Sequence, residues 1–369
     1  MNPAATTSID RTDDELEQRK AALVSAALAG AAKGDGARDD LGAYLSRYFQ
    51  HVAADDILDW TADEVRGVAL GQREFAATRP PGAPTVQVFT HGKHTTLEIV
   101  TDDMPFLVDS VTQELSRRDL AIQLLVHPQL VVRRDLNGRL LDVLATLDAD
   151  EAPAGTIVES WMHIEVARQP NAEAEQLLRQ DVVRVLRDVR EAVEDWPRMR
   201  SLAERAAADL ESAPPSSVPK DETAEVAEFL RWLAADHFTF LGYREYRLVI
   251  DQGEEALAVA AGTGLGVLRG DKPTPRPVSS LPAEVRSKLH DPQLLLVTKA
   301  NSRSTVHRPI HLDYIGVKTF DSAGQVIGER RFLGLFTSVA YTESVARIPV
   351  LRRKAAEVLE RSGFAPLSH

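Results

Sequence analysis

The sequence of 369 residues contains no cysteine. This excludes disulfide bonds, thiolate metal sites and a cysteine nucleophile, and it is typical of a reducing compartment. Basic residues are fewer than acidic ones, 43 against 55, and the net charge of −12 disfavours nucleic-acid and anionic-membrane partners. No window offers about 18 consecutive apolar residues, and the N-terminus has no apolar core behind basic residues, which disfavours a membrane span and an export signal. We therefore expect a cytoplasmic globular protein.

Motifs for catalysis and cofactor binding are also missing. Neither G-x-S-x-G nor H-E-x-x-H occurs, so an esterase elbow and a helical zinc site are not indicated. The stretch "GTGLG" at 262–266 does not complete G-x-G-x-x-G, and the proline-containing run behind it opposes the helix that would hold a pyrophosphate, which favours a loop or tight turn. Pro309 between His307 and His311 favours a structural or surface pair over a metal site. We expect no catalytic, cofactor-binding or metal-binding residues in this chain.

The first half of the chain reads as helices followed by a mixed domain. Residues 1–40 predict a helix and a tether, and residues 41–84 predict a helical preamble in which Thr61 and Glu64 have capping-box spacing. Residues 85–210 follow the order strand, helix, hairpin, strand, helix, with the hairpin marked by Asn137-Gly138. This order predicts a ferredoxin-like sandwich in which two helices cover one face of an antiparallel sheet.

The second half of the chain has a different order of predicted helices and strands. Residues 211–222, "ESAPPSSVPKDE", are rich in Pro and Ser and predict a linker. Residues 223–369 then predict a helix, two strands, a helical interruption, a three-stranded meander and a C-terminal helix before "FAPLSH", which reads as unfinished. This is the order of a PAS-like domain, although many unrelated α+β domains share it. In "GYREYRLVI" each side of the strand mixes aromatic or apolar with charged residues, which favours packing over a ligand cavity.

Several unbroken segments together resemble a known family. They are "VTDDMPFLVDSVTQEL", "HPQLVVRRDLNGRL", "ESWMHIEV", "VLRDVREAVEDW", "FLRWLAADHFTFLGYREY" and "ERRFLGLFTSVAYTESVARIPVLRRK". They are similar to the N-terminal region of the large bacterial NAD-specific glutamate dehydrogenases, with the actinobacterial branch closest, from about residue 40 onward. The resemblance implies an α+β fold: an ACT-like domain preceded by helices and followed by a PAS-like domain.

The resemblance also implies a function and partners. The segment would be a non-catalytic regulatory and oligomerisation part of an enzyme that converts glutamate, NAD and water to 2-oxoglutarate, ammonium and NADH. NAD would bind only to the full-length enzyme. The implied partners are further copies of the enzyme, its own catalytic domain, an amino-acid effector and an FHA-domain regulator. The alternative is a free-standing ACT/PAS sensor of a small molecule, and an open reading frame that continues past His369 into a catalytic domain would favour the first hypothesis.

The stretch "TDDMPFLVDS" at 101–110 is the candidate effector site. ACT domains carry an acidic residue, proline, glycine and an aliphatic residue between the first strand and the first helix, and Phe106 stands where glycine is expected. A phenyl group there would crowd out a ligand carboxylate, so the favoured interpretation is that Asp102 and Asp103 cap the helix while Phe106 packs. Effector binding and catalysis by the acid pair are the alternatives. The candidate effector residues are Asp102, Asp103, Met104, Pro105 and Phe106.

A second candidate is an interface on the sheet face that the two helices leave open. The strand "SWMHIEV" would place Trp161 and His163 on that face, and a buried tryptophan contributes much of the energy of an interface. We therefore predict self-association through Trp161. The alternative is that the preamble helices at 41–79 cover this face within the same chain.

Overall fold

The computed structural model describes residues 3–30, 38–270 and 274–362. The chain divides into two compact units, Met1–Leu186 and Arg187–His369, which we call unit 1 and unit 2. Within the described residues, no helix is long and apolar enough to cross a membrane. The main part of the predicted tether and the "FAPLSH" end lie outside the described residues.

Unit 1 begins with one helix in the predicted N-terminal segment 1–40, and further helices follow in the predicted preamble. They are α1 (Pro3–Ala29), α2 (Arg38–Tyr48), α3 (Ala54–Ile57) and α4 (Ala62–Phe75). The hydroxyl of Thr61 accepts a hydrogen bond from the Glu64 backbone N–H at 3.2 Å, and the Glu64 carboxylate accepts one from the Thr61 N–H at 2.7 Å. The predicted capping box is therefore confirmed.

The sheet of unit 1 has six antiparallel strands. These are β1 (Thr85–His91), β2 (His94–Asp102), β3 (Ile122–Val126), β4 (Gln129–Arg134), β5 (Leu140–Val143) and β6 (Ile157–Ala167). Helix α5 (Leu107–Arg117) follows β2, and α6 (Ala172–Ser212) follows β6. The strand order is β1-β2-β6-β4-β5, and β3 also pairs with β6. The Asn137-Gly138 hairpin joins β4 to β5, as predicted.

Two features of this sheet differ from the prediction. Strand β1 pairs with β2, whereas the predicted order has only one strand before the first helix. The first arm of the predicted hairpin is divided into two strands, because His127 and Pro128 separate β3 from β4. A proline has no N–H to donate to a neighbouring strand. Both strands pair with β6, at its opposite ends.

The sheet is buried on both faces rather than one. Trp161 and Val100, which are partners across β6 and β2, belong to a core cluster with Tyr44 and Tyr48 of α2 and Val65 of α4. Because side chains alternate along a strand, the neighbouring residues of β2 and β6 point to the other face, and they are also fully buried. The preamble helices therefore cover the face that the two-helix sandwich would leave open.

Unit 2 contains a second antiparallel sheet. Its helices are α7 (Lys220–Trp232), α8 (Ala283–Leu289), α9 (Ser338–Thr342) and α10 (Leu351–Ser362). Its strands are β7 (Phe238–Asp251), β8 (Glu254–Val259), β9 (Leu265–Gly266), β10 (Arg276–Pro277), β11 (Leu295–Arg303), β12 (His311–Phe320) and β13 (Val326–Phe336). The order is β10-β8-β7-β13-β12-β11, with β9 on β7. Two long strands, a partly helical interruption and a three-stranded meander follow one another, as predicted.

The segment around the predicted linker is more helical than expected. Helix α6 continues through Pro197 to Ser212, and α7 starts at Lys220, so only residues 213–219 connect them. The two compact units divide after Leu186, inside the range of α6, and not at 211–222. The domain bounds taken from composition therefore differ from this division and stay a prediction. The predicted order also has no helix between the meander and the C-terminal helix, whereas β13 ends at Phe336 and α9 follows it.

Candidate functional site

The candidate effector residues form the passage from β2 to α5. Phe106 is the N-cap of α5 and has φ 73° and ψ 1°, which is left-handed backbone. Glycine adopts this conformation freely, whereas for other L-residues it costs about 1–2 kcal/mol. The backbone therefore has the conformation expected for a glycine, although the residue is a phenylalanine. Phe106 is half-buried, Met104 is half-buried and Pro105 is exposed.

Asp102 is held by an ion pair with the side chain of Arg79. The Arg79 side chain is almost fully buried, and its Nε donates to Glu159 Oε1 at 2.8 Å. Asp102 and Glu159 are directly opposite each other on β2 and β6, so Arg79 bridges the two strands. The N-cap residue of α5 is Phe106, whose side chain makes no capping hydrogen bond, and the predicted capping role of Asp102 stays a prediction.

Glu159 is the centre of a buried network. Its side chain is fully buried, and Oε1 accepts hydrogen bonds from Arg79 Nε and from Arg134 Nε at 2.7 Å. Oε2 accepts from Arg134 Nη2 at 2.8 Å and from the Trp161 indole N–H at 2.9 Å. A buried carboxylate with this many donors is compensated for its lost hydration. The network joins β2, β4 and β6 with the segment that follows α4.

Asp103 belongs to a second chain of hydrogen bonds. Its carboxylate accepts from the Ser160 hydroxyl at 2.6 Å and from the Gln129 amide at 2.9 Å. The Ser160 hydroxyl also lies 2.9 Å from His127 Nε2. Burial lowers the pKa of His127 below its ordinary range, although the Asp103 charge acts in the opposite direction. Asp103 therefore ties the start of the junction to β4 and β6 and does not cap α5.

The order of groups in this chain opposes nucleophilic catalysis. In a catalytic triad the histidine lies between serine and aspartate and removes the serine proton. Here the serine lies between the other two, and its hydroxyl donates to the Asp103 carboxylate. Asp102 is neutralised by Arg79. Neither carboxylate of the pair is thus placed as a general base for a shared substrate atom.

Trp161 lies in the interior of unit 1. Its exposed fraction is 0%, its ring centroid lies 6.3 Å from that of Tyr44 in α2, and its indole N–H donates to Glu159. The interface prediction for Trp161 is not supported by this burial, because the residue offers no surface to a partner. The structure shows the alternative, in which the preamble helices cover this face.

His163 is also buried, and it lies between two carboxylates. Its Nδ1 is 3.5 Å from Glu98 and its Nε2 is 3.5 Å from Glu165. Neither contact meets the geometry of a hydrogen bond, but both carboxylates lie close to the imidazole. Burial alone would lower the pKa of the imidazole, but Glu165 and Glu98 outweigh it and raise the pKa above its ordinary value of 6.5. His163 is therefore a core group with a stabilised charge, not an accessible interface residue.

Other segments singled out in the sequence have structural roles. In "GTGLG", Leu265 and Gly266 form β9 against β7, and residues 267–269 make a turn instead of a helix. A Cβ at Gly266 would overlap the Leu241 carbonyl, which explains a glycine there. His311 Nδ1 lies 3.0 Å from the Ala300 carbonyl oxygen. Within the described residues, no group of three or more His, Cys, Asp or Glu side chains could hold a metal ion.

Sequence reasoning missed the importance of Glu159, Arg79 and Arg134. One signal was available, because Glu159 shares a strand face with Trp161, and a charged residue in such a position needs a buried partner. Its partners could not be read from local spacing, since Arg79 lies 80 residues away in the sequence.

Comparisons with known proteins find matches in both units. Residues 44–182 match the family model "Glutamate dehydrogenase, ACT1 domain", and residues 348–369 match "Glutamate dehydrogenase, helical motif 1". The NAD-specific glutamate dehydrogenase of Halomonas elongata is 38% identical over 332 residues, which are 87% of this chain and 20% of that protein. The chain belongs to the NAD-specific glutamate dehydrogenase family.

Two further NAD-specific glutamate dehydrogenases extend the comparison. The Pseudomonas aeruginosa protein is 33% identical over 91% of this chain and 21% of its own length. The Mycobacterium tuberculosis protein is 28% identical over 73% of this chain and 16% of its own length. Among these three the actinobacterial protein has the lowest identity, so the expected closeness to that branch is not supported. The chain spans about one fifth of the length of the first two relatives, and it corresponds to their N-terminal region.

A solved structure, "Structure of an RNA-binding Light-Oxygen-Voltage Receptor", aligns with 86% of this chain and 90% of its own. The TM-score is 0.15 and the identity is 10%. A score this low carries no argument about fold.

Proposed function

We propose that this chain is a non-catalytic regulatory and oligomerisation segment of an NAD-dependent glutamate dehydrogenase. The observation that carries the proposal is the match of residues 44–182 to the ACT1 domain together with relatives five times as long. In the complete enzyme, the reaction would convert glutamate, NAD and water to 2-oxoglutarate, ammonium and NADH. NAD would bind to a catalytic domain elsewhere in the parent protein, and the location would be the cytoplasm.

The bonding of the acid pair supports the non-catalytic assignment. Asp102 and Asp103 are both engaged by side chains of the surrounding sheet and loop. A steady-state assay with glutamate and NAD is expected to give no turnover above a buffer blank. Turnover by protein free of host enzyme would contradict the proposal.

The bounds 85–210 and 223–369 are proposed as an ACT-like and a PAS-like domain. The strand order of unit 2, with two strands, a partly helical interruption and a meander, supports the second assignment. Limited proteolysis is the test, and we expect first cleavage within residues 213–219. First cleavage within β13 or α5 would show that the boundary is misplaced.

Exposed apolar residues on the C-terminal helix support a proposed contact with other parts of the parent protein. In α10, Arg352 pairs with Glu225 of α7 at 2.7 Å and Arg353 pairs with Asp221 at 3.4 Å. The apolar residues Val358 and Leu359 are 65% and 52% exposed. A helix that binds its neighbour through charges and turns apolar residues outward is suited to a further contact. Parent proteins with Val358→Glu are expected to lose oligomer mass in sedimentation, and unchanged mass would argue against this contact.

A former effector site at the β2–α5 junction, closed by the side chain of Phe106, is a further part of the proposal. The left-handed backbone at Phe106 supports the proposal that this loop derives from a ligand-binding loop with glycine at this position. The phenyl ring would now occupy the space of the ligand carboxylate. Phe106→Gly should then allow L-amino acids to raise the melting temperature, whereas the unchanged chain should not respond. An FHA-domain regulator is proposed as a partner only through the family resemblance, and a binding assay with the phosphorylated chain would test it.

The alternative function is a free-standing ACT/PAS sensor. Reading the gene beyond the codon for His369 separates the two functions, because only the dehydrogenase requires a catalytic domain in the same reading frame.

A further inference from the structure

An arginine in unit 2 is stacked between two tyrosines. The Cζ atom of Arg331 on β13 lies 4.0 Å from the ring centroid of Tyr246 on β7 and 4.9 Å from that of Tyr314 on β12. Arg331 lies next to Phe332, whose ring belongs to the core cluster of unit 2. Since adjacent strand residues point to opposite faces, Arg331 lies on the sheet face away from that cluster.

The hydrogen bonds of Arg331 use only one of its nitrogens. Its Nε donates to the Tyr314 hydroxyl oxygen at 3.1 Å and to Glu329 Oε1 at 3.2 Å, and the Tyr314 hydroxyl donates to the same carboxylate oxygen. Among the described residues, Nη1 and Nη2 have no acceptor. The side chain keeps 24% of its surface exposed, so solvent reaches it. The guanidinium is thus fixed in place, and its two terminal nitrogens remain available as donors.

The position opposite Arg331 on β12 is a glycine, Gly316. A Cβ there would lie 2.8 Å from Tyr314 Cε1 and 3.0 Å from the Glu329 carboxyl carbon. The missing side chain therefore leaves the space in which Tyr314 and Glu329 meet and hold the Nε side of Arg331. This arrangement fixes the plane of the guanidinium.

The surrounding charges favour an anion. Arg244 is the partner of Arg331 on β7 and is 2% exposed. Its Nη2 donates to the carbonyls of Leu268 and Gly270, and its Nε is buried without a hydrogen-bond partner in the described structure. Lys318, also on this face, donates to the carbonyl of Lys288 in the last turn of α8 and to the carbonyl of Asp291 beyond it.

Arg331, Arg244 and Lys318 therefore lie on the same sheet face as the carboxylate of Glu329, in a chain whose net charge is −12. We propose that Arg331 binds a small carboxylate anion through Nη1 and Nη2 between the rings of Tyr246 and Tyr314. A planar guanidinium fork matches a planar carboxylate with two parallel hydrogen bonds.

A phosphate fits less well, because Nη2 of Arg244 and Nζ of Lys318 are already bound to carbonyl oxygens. This inference does not depend on the proposed dehydrogenase function.

The test uses the complete chain and ligand-observed NMR with acetate and glutarate as probes, and with inorganic phosphate for comparison. We expect saturable binding of both carboxylates, at least tenfold weaker in Arg331→Gln. Arg330→Gln is the matched control, because Arg330 is the adjacent arginine, points to the other face and pairs with Asp209 at 2.7 Å. It should bind the carboxylates within twofold of the unchanged chain.

Two further variants separate binding from folding. Arg331→Lys keeps the charge but removes the fork, and Tyr246→Leu removes one stacking ring, so both should weaken binding while circular dichroism shows a folded chain. If Arg331→Gln does not fold, the carboxylate affinity of Arg331→Lys decides whether the proposal holds. Absence of saturable carboxylate binding, equal binding by Arg331→Lys, or tighter binding of phosphate than of carboxylate would overturn the proposal.

Discussion

Replacement of Glu159 by glutamine tests whether the buried network holds unit 1 together. Glutamine has nearly the same shape but no charge, and its amide group would point hydrogen atoms at guanidinium donors. Arg79 and Arg134 both have almost fully buried side chains and would lose their shared counter-charge. Arg79 would keep Asp102, and Arg134 would keep its bonds to the Ala76 and Gly138 carbonyls at 2.9 Å.

The expected loss follows from these remaining contacts. Removal of one partner from a buried ion pair reduces the free energy of unfolding by about 3–5 kcal/mol. Because Asp102 and two carbonyls still compensate the arginines, we expect the lower end, about 3 kcal/mol. With a urea dependence of about 2 kcal/mol per molar, the midpoint should fall by about 1.5 M.

Hydrogen exchange can assign the effect to unit 1, since two units can unfold separately. Peptides from β4 and β6 should exchange roughly a hundredfold faster in Glu159→Gln, whereas peptides from β12 and β13 should not change. Glu173→Gln is the control, because Glu173 is exposed and its replacement should stay within about 0.5 kcal/mol. A loss below about 1 kcal/mol for Glu159→Gln would refute the reasoning.

Three further predictions concern single residues of unit 1. A Cβ at Gly138, which has φ 82°, would overlap the Arg79 carbonyl oxygen, so Gly138→Ala should lower the free energy of unfolding by at least about 2 kcal/mol; an unchanged urea midpoint would contradict this. Phe106→Gly should be about 1 kcal/mol more stable than Phe106→Ala in urea titrations, because both lose the ring and only glycine relieves the left-handed backbone. The raised pKa of His163 means that its stabilising charge is present below about pH 6.5 and is lost as the pH rises through the higher folded-state pKa. The urea midpoint should therefore decrease as the pH is raised from 6 to 8. An equal decrease in the unchanged chain and in His163→Gln would argue against this assignment.

Local patterns in the sequence were sufficient for most secondary structure. Thr61 and Glu64 interact over one helical turn, and Asn137-Gly138 makes a turn between adjacent strands, so both depend only on neighbouring residues. Strand β1 was missed because its residues alternate weakly between buried and exposed positions. Helix α9 was missed because "SVAYT" contains residues typical of strands, although in the structure these residues are helical.

The candidate site was only partly predictable from the sequence. The anomaly at Phe106 was visible there, because a known loop pattern places glycine at this position, and the structure shows the corresponding backbone. The partners of Asp102 and Asp103 were not visible, since Arg79 and Ser160 come from other elements.

The sequence alone determined most of the order of helices and strands and the family of the chain, because periodicity and unbroken motifs are properties of adjacent residues. Only the tertiary structure decided what covers each face. Alternation placed Trp161 on an apolar face, but it could not tell whether a second chain or helices α2 and α4 of this chain bury it. Pairing of distant residues, such as Arg79 with Glu159, depends on the register of several strands at once, and that register exists only in the folded sheet.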